Sequence, residues 1–69
     1  MGESVYKIVE VVGSSPDSWE AAAAAAVARA SSSLRDLRVA EVAEQDLHIE
    51  DGKIRAYRTR LKLSFKMED

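Results

Sequence analysis

The chain has no cysteine, one histidine and one proline among its 69 residues. Without cysteine there are no disulfides and no thiolate metal sites, and a lone histidine, His48, cannot build a histidine cluster. No apolar run approaches the length of about 20 residues that a membrane-crossing helix needs, and there is no signal-peptide pattern. The expectation is therefore a cytoplasmic protein with no membrane partner. Charge of one sign is also missing: 10 basic residues against 12 acidic ones leave a slightly acidic chain. A nucleic-acid partner would need a concentrated basic face, so none is expected. No phosphate loop is present, and no nucleophile has a base beside it, so the chain does not read as an enzyme. A single domain, 1–69, is all this length permits. So small a core is marginal alone, and with the other staples absent, self-association is the remaining source of stability.

What is present follows a clear order. Val5–Gly13, VYKIVEVVG, is rich in β-branched residues and ends at a glycine, which predicts a strand. Ser15 followed by Pro16 predicts a helix capped at Ser15 with proline at its first position, and Asp17 and Glu20 suit the positive end of its dipole. Six alanines, Ala21–Ala26, propagate the helix. Trp19, Val27 and Leu34 mark its core side, and its alanine surface permits close backbone approach.

From Arg38 the period changes to two, and Asp51-Gly52 suits a type I′ hairpin turn. A regular ladder from that turn pairs Glu50 with Lys53, Val42 with Leu61, Ala40 with Leu63 and Glu44 with Thr59. It also pairs Glu41 with Lys62, Ala43 with Arg60, Gln45 with Arg58 and His48 with Arg55. Tyr57, Thr59, Leu61, Leu63, Phe65 and Met67 form the face for the helix. The fold class is α+β: β-α-β-β, a three-stranded antiparallel sheet in order 1-3-2 packed on one helix. Hairpin arms of about 12 residues span roughly 40 Å, while a helix of about 18 residues covers roughly 27 Å. The hairpin should overhang. In a regular ladder the apolar face also switches sides there, with Leu47 and Ile49 opposite Ala56 and Ile54, which calls for another subunit.

The segments VYKIVEVVGSSPDSWEAAAAAAVARA, LRVAEV and YRTRLKLSFKM together resemble the dodecin family over nearly the whole chain. The resemblance implies a hollow homododecamer of 23 symmetry. Most dodecins stack flavins between tryptophans of symmetry-related second strands and hold the ring edges with a third-strand glutamine. Here the tryptophan position falls at Val39 and the glutamine position at Arg58. Val39, Arg58 and Gln45, its expected cross-strand neighbour, are then degenerate flavin-pocket positions. An aliphatic side chain has no π face, so flavin is not expected in the usual stacked mode. SPDSWE, RVAEV, EQD and the tail resemble the calcium-dodecin subgroup, which implies a Ca2+ ligand.

Glu44 and Asp46, two apart on a strand, point the same way about 7 Å apart, hard oxygens of the kind calcium takes. They are the candidate metal ligands; the plain alternative is a solvated pair held by Arg58 or Arg55. Ser14, Asp17 and Glu20 form a second oxygen group that helix capping explains better. Arg58, Arg60 and Lys62 make a basic stripe that either receives an anion or pairs with acids. Trp19 reads as a helix–sheet anchor. The function expected is a non-enzymatic dodecameric store for a small ligand, calcium before flavin. The alternatives are flavin sequestration in a modified pocket and a purely structural shell.

Overall fold

The computed structural model describes residues 2–67. Strand β1 (Tyr6–Ser15) leads into helix α1 (Trp19–Ser31), followed by β2 (Leu37–Glu50) and β3 (Lys53–Lys66). The sheet order is β1-β3-β2, with β3 antiparallel to both neighbours. This is the topology the sequence pattern predicts. The hairpin turn also forms as expected, with Asp51 at φ 53° and Gly52 at φ 73°, the left-handed angles of a type I′ turn.

The helix is shorter than expected and starts later. Its cap is Ser18, whose hydroxyl accepts the Ala21 N–H at 3.0 Å. Ser15 cannot cap because it still belongs to the β1 ladder opposite Tyr57, and Pro16 lies in the bend before the helix rather than at its first position. The buried Ser15 hydroxyl instead accepts the Asp17 N–H at 3.0 Å. Thirteen helical residues span about 20 Å at 1.5 Å each, whereas the molecule is 54 Å long. The overhang is therefore larger than the sequence suggested.

Ala22, Ala26 and Ala30, one turn apart, are the buried stripe of α1; Ala26 and Ala30 meet Leu61 and Leu63 of β3, while Ala22 lies against Gly13. Val9, Val11, Val27, Leu34 and Leu37 close the margins of this core. Methyl-sized side chains let the helix lie close on the sheet, and Gly13 makes the approach possible. A β-carbon there would collide with the Ala22 carbonyl oxygen. The helix covers β1 and β3 and barely touches β2, so Val42, on the same face as Leu61, stays exposed.

The β2–β3 ladder departs from the regular one. Glu50↔Lys53, Ile49↔Ile54, Val42↔Leu61, Glu41↔Lys62 and Ala40↔Leu63 are as expected. Between them, Arg55 is skipped on β3 and Ala43 on β2. These two steps cancel, but they displace the enclosed segment by one residue. Glu44 faces Arg60 rather than Thr59, Gln45 faces Thr59 rather than Arg58, and Ala43 has no direct partner. Asp46 faces Arg58, Leu47 faces Tyr57 rather than Ala56, and His48 faces Ala56 rather than Arg55. The expected switch of the apolar face therefore does not happen: Leu47 shares the helix side of the sheet with Tyr57 and Thr59. A third step, at Arg38, places Leu37 opposite Phe65 rather than Lys66, while Val39 keeps the regular position opposite Ser64.

Replacing Gly13 by alanine should lower unfolding free energy by about 1–3 kcal/mol, because β1 and α1 must separate to admit the methyl group. Urea denaturation followed by circular dichroism measures this. A midpoint equal to that of the parent would show that the close approach is not required.

Candidate ligand-binding face

Because the helix covers one side only, the other side of the sheet, here the outer face, is open. Cross-strand partners share a face, so the register assigns its occupants directly. Ile8, Val12 and Val39, at 58%, 45% and 56% exposure, are its apolar members, together with Tyr6. Between them runs the basic stripe Arg58, Arg60, Lys62, with Glu10 and Glu41 on either side of Lys62 in the ladder.

The displaced segment decides how the acids and bases meet. Asp46 and Arg58 form a two-pronged pair, with Nε to Oδ1 at 2.7 Å and Nη2 to Oδ2 at 3.1 Å. Arg60 donates from Nε to Glu44 Oε1 at 3.0 Å. Nearer the turn, Arg55 lies 3.3 Å from Glu50. In a regular ladder Arg58 and Arg60 would have faced Gln45 and Ala43, and no such pairing would exist. Arg58 and Arg60 thus pair with acids of their own chain.

The Asp46–Arg58 pair leaves an electrostatic mark. The hydrogen bond from Arg58 holds the Asp46 carboxyl below the usual aspartate range; partial desolvation opposes it, and the charges of Arg58 and Arg60 reinforce it. The same hydrogen bond raises the pKa of Arg58. Both side chains remain about half exposed, so solvent screens the pair and its chief effect is to orient Asp46.

Asp46 is also tied to the helix. The Trp19 indole N–H donates to the Asp46 carbonyl oxygen at 3.1 Å, and the Thr59 hydroxyl donates to the Trp19 carbonyl at 3.0 Å. The Trp19 ring meets Tyr57 edge to face, with centroids 5.2 Å apart at 76°. Trp19 is the anchor the sequence suggested, and it joins the first turn of α1 to both arms of the hairpin. Its partner on β2 was not legible, because only the displaced register brings that carbonyl within reach.

Among the candidate residues, Val39, Glu44, Asp46 and Arg58 lie on the outer face, whereas Gln45 lies on the helix side opposite Thr59. The displaced register therefore separates Gln45 from Arg58. His48 sits on the outer face opposite Ala56. Among the described residues no group of three or more His, Asp or Glu side chains could hold a metal ion. Two carboxylates, each engaged by an arginine, are a partial coordination shell at most.

One α-helix packed on one side of a β1-β3-β2 sheet, with an open amphipathic face behind it, defines a small β-α-β-β subunit of the dodecin type. The chain belongs to the dodecin family, whose model matches residues 5–68. It is 55% identical over 65 residues to calcium dodecin of Mycobacterium tuberculosis, covering 93% of this chain and 90% of that one. It is 42% identical over 65 residues to dodecin of Thermus thermophilus, covering 94% of each. Among solved structures, dodecin from Streptomyces coelicolor superposes with a TM-score of 0.92 at 42% identity, over 100% of this chain and 99% of that one. The crystal structure of the calcium-chelating antigen calcium dodecin from Mycobacterium tuberculosis, which has a novel calcium-binding site, superposes with a TM-score of 0.83. It is 55% identical and covers 94% of this chain and 93% of that one.

Asp46 should titrate with a midpoint below the unperturbed value of about 3.9. The stability it contributes is present above that value and is lost as pH falls through the lowered folded value. Carboxyl carbon NMR reads the midpoint directly. In Arg58→Gln it should return upward, and an unchanged midpoint would remove Arg58 as the cause.

Proposed function

We propose that the chain is the subunit of a hollow, non-enzymatic homododecamer of 23 symmetry that stores a small ligand, and that this ligand is calcium rather than flavin. The observation that carries this is the 55% identity to calcium dodecin over nearly the full length of both chains. The physical features agree with it. Val39 is an exposed aliphatic residue on the outer face, and it offers no π surface to an isoalloxazine. Arg58, at the other degenerate flavin-pocket position, is committed to Asp46.

Calcium takes six to eight oxygens, and Glu44 and Asp46 of one subunit supply too few. The two would contribute to a shell completed by further subunits or water, and calcium must compete there with Arg58 and Arg60. The protein supplies the acidic side chains and their spacing; the ion, when bound, supplies charge that draws subunits together. A cytoplasmic setting suits this reading, and no helix of the described residues is long and apolar enough to cross a membrane.

Light scattering after size exclusion should give the mass of a dodecamer. Calorimetric titration of that species with calcium should show saturable binding that weakens at least tenfold in Glu44→Gln and Asp46→Asn. No heat from the parent, together with quenching of riboflavin fluorescence, would replace calcium by flavin. Unchanged calcium affinity in both variants would move the site elsewhere.

A further inference from the structure

From the Tyr6–Lys66 rung to the Asp46–Arg58 rung, the outer face is balanced in charge. Along β3 it carries Arg58, Arg60, Lys62 and Lys66, and on the flanking strands Glu10, Glu41, Glu44 and Asp46. We infer that this balance conceals a second site, in which Arg58 and Arg60, with the Ser14 hydroxyl beside them, bind a small free oxyanion of the sulfate or phosphate kind once a cation has drawn Asp46 and Glu44 away. The inference rests on the reading that the acidic pair takes calcium, and it names what enters with the ion.

The two sides of the basic stripe differ. Toward β2, Asp46 lies across Nε and Nη2 of Arg58 at 2.7 and 3.1 Å, and Glu44 accepts from Nε of Arg60 at 3.0 Å. A guanidinium fork donates to a carboxylate and to a tetrahedral oxyanion in the same geometry, so each acid occupies the place such a ligand would take. Toward β1 the partners of Arg58 and Arg60 are Ser14 and Val12, which carry no charge. The other acids of this stretch, Glu10 and Glu41, both stand opposite Lys62. A guanidinium released from β2 therefore meets no acid across the β1 ladder, only the exposed Ser14.

Cation binding calls for that release. A carboxylate oxygen given to calcium is no longer free for an arginine, and the divalent charge then stands beside two guanidiniums about 7 Å apart along β3. An oxyanion held between them offsets both the calcium charge and their mutual repulsion. Arg58 and Arg60, with side chains 43% and 37% exposed, have room to turn, and solvent keeps the coupling modest. By reciprocity, the cation and the oxyanion raise each other's affinity by the same factor.

The displaced register is what closes the site. In a regular ladder Arg58 and Arg60 would face Gln45 and Ala43, and their forks would stand open to anions at all times. The steps at Ala43 and Arg55 set an acid opposite each arginine instead.

Equilibrium dialysis of the assembled parent protein against radiolabelled sulfate reads the site directly. Sulfate should be retained when calcium is present and released when calcium is chelated. A calcium titration followed with an ion-selective electrode reads free calcium despite its pairing with sulfate in solution. At equal ionic strength, calcium should bind about fivefold or more tightly in sulfate than in chloride, the low end of couplings between sites. Arg58→Gln combined with Arg60→Gln should abolish sulfate retention and make the two anions equivalent. Glu44→Gln combined with Asp46→Asn removes the charges that close the site, so sulfate should bind without calcium. All four side chains are exposed or partly exposed, and circular dichroism checks that the variants fold.

Equal sulfate retention by the parent with and without calcium, or equal calcium affinity in the two anions, overturns the coupling. Retention that survives the paired arginine changes overturns the site. A parent that takes up no calcium in either anion overturns the calcium reading. The paired acid variant then decides the anion site alone, which stands if sulfate binds and falls if it does not.

Discussion

The helix of 13 residues lies across a sheet whose two long strands each run 14 residues, and at 1.5 Å against about 3.3 Å per residue it covers less than half their length. Much else in the subunit follows from that mismatch. The core is confined to the section where Ala26 and Ala30 meet Leu61 and Leu63. Val42, Ile49 and Ile54 are left exposed on or beyond its margin, and the whole outer face lacks a second layer. A chain of this size needs more burial than one such section provides, and its uncovered surfaces are where that burial can be found.

Within this constraint the small residues and the register steps have complementary roles. Gly13 and the alanine stripe bring helix and sheet close enough for a thin core to exclude water. The steps at Ala43 and Arg55 keep Leu47 on the apolar side while turning Glu44 and Asp46 toward Arg60 and Arg58. Exposed ion pairs of this kind contribute little stability each. Their consequence is specificity of register: a slip by one residue would part both pairs and move Leu47 off the Tyr57 side. Trp19 reinforces the same register from the helix by holding the Asp46 carbonyl.

The same geometry bears on the ligand. Carboxylates already held by guanidinium groups favour a cation only where further oxygens gather. Val39 is aliphatic and Arg58 is engaged by Asp46, so neither of these two positions offers an aromatic ring or a free amide.

Element types and order were legible from the sequence because they rest on local chemistry. Branched residues in Val5–Gly13, the alanine run, period-two alternation from Arg38 and the Asp51-Gly52 turn each act over a few neighbouring residues. Trp19 as anchor was also within reach of side-chain type; Arg58 was one of two arginines expected to hold the acidic pair, but the regular ladder set it opposite Gln45 instead of Asp46. The helix start was misjudged because Ser15 and Ser18 are equally good caps by local criteria. Only the β1 ladder, which keeps Ser15 opposite Tyr57, chooses between them. The partners of Glu44, Gln45 and Leu47 were out of reach for a related reason. A register step adds one unpaired residue at a place no residue type marks, and Ala43 and Arg55 are ordinary strand residues. Their positions depend on how Thr59 and Tyr57 of β3 pack with Trp19 of α1, and that is settled only when the chain is folded.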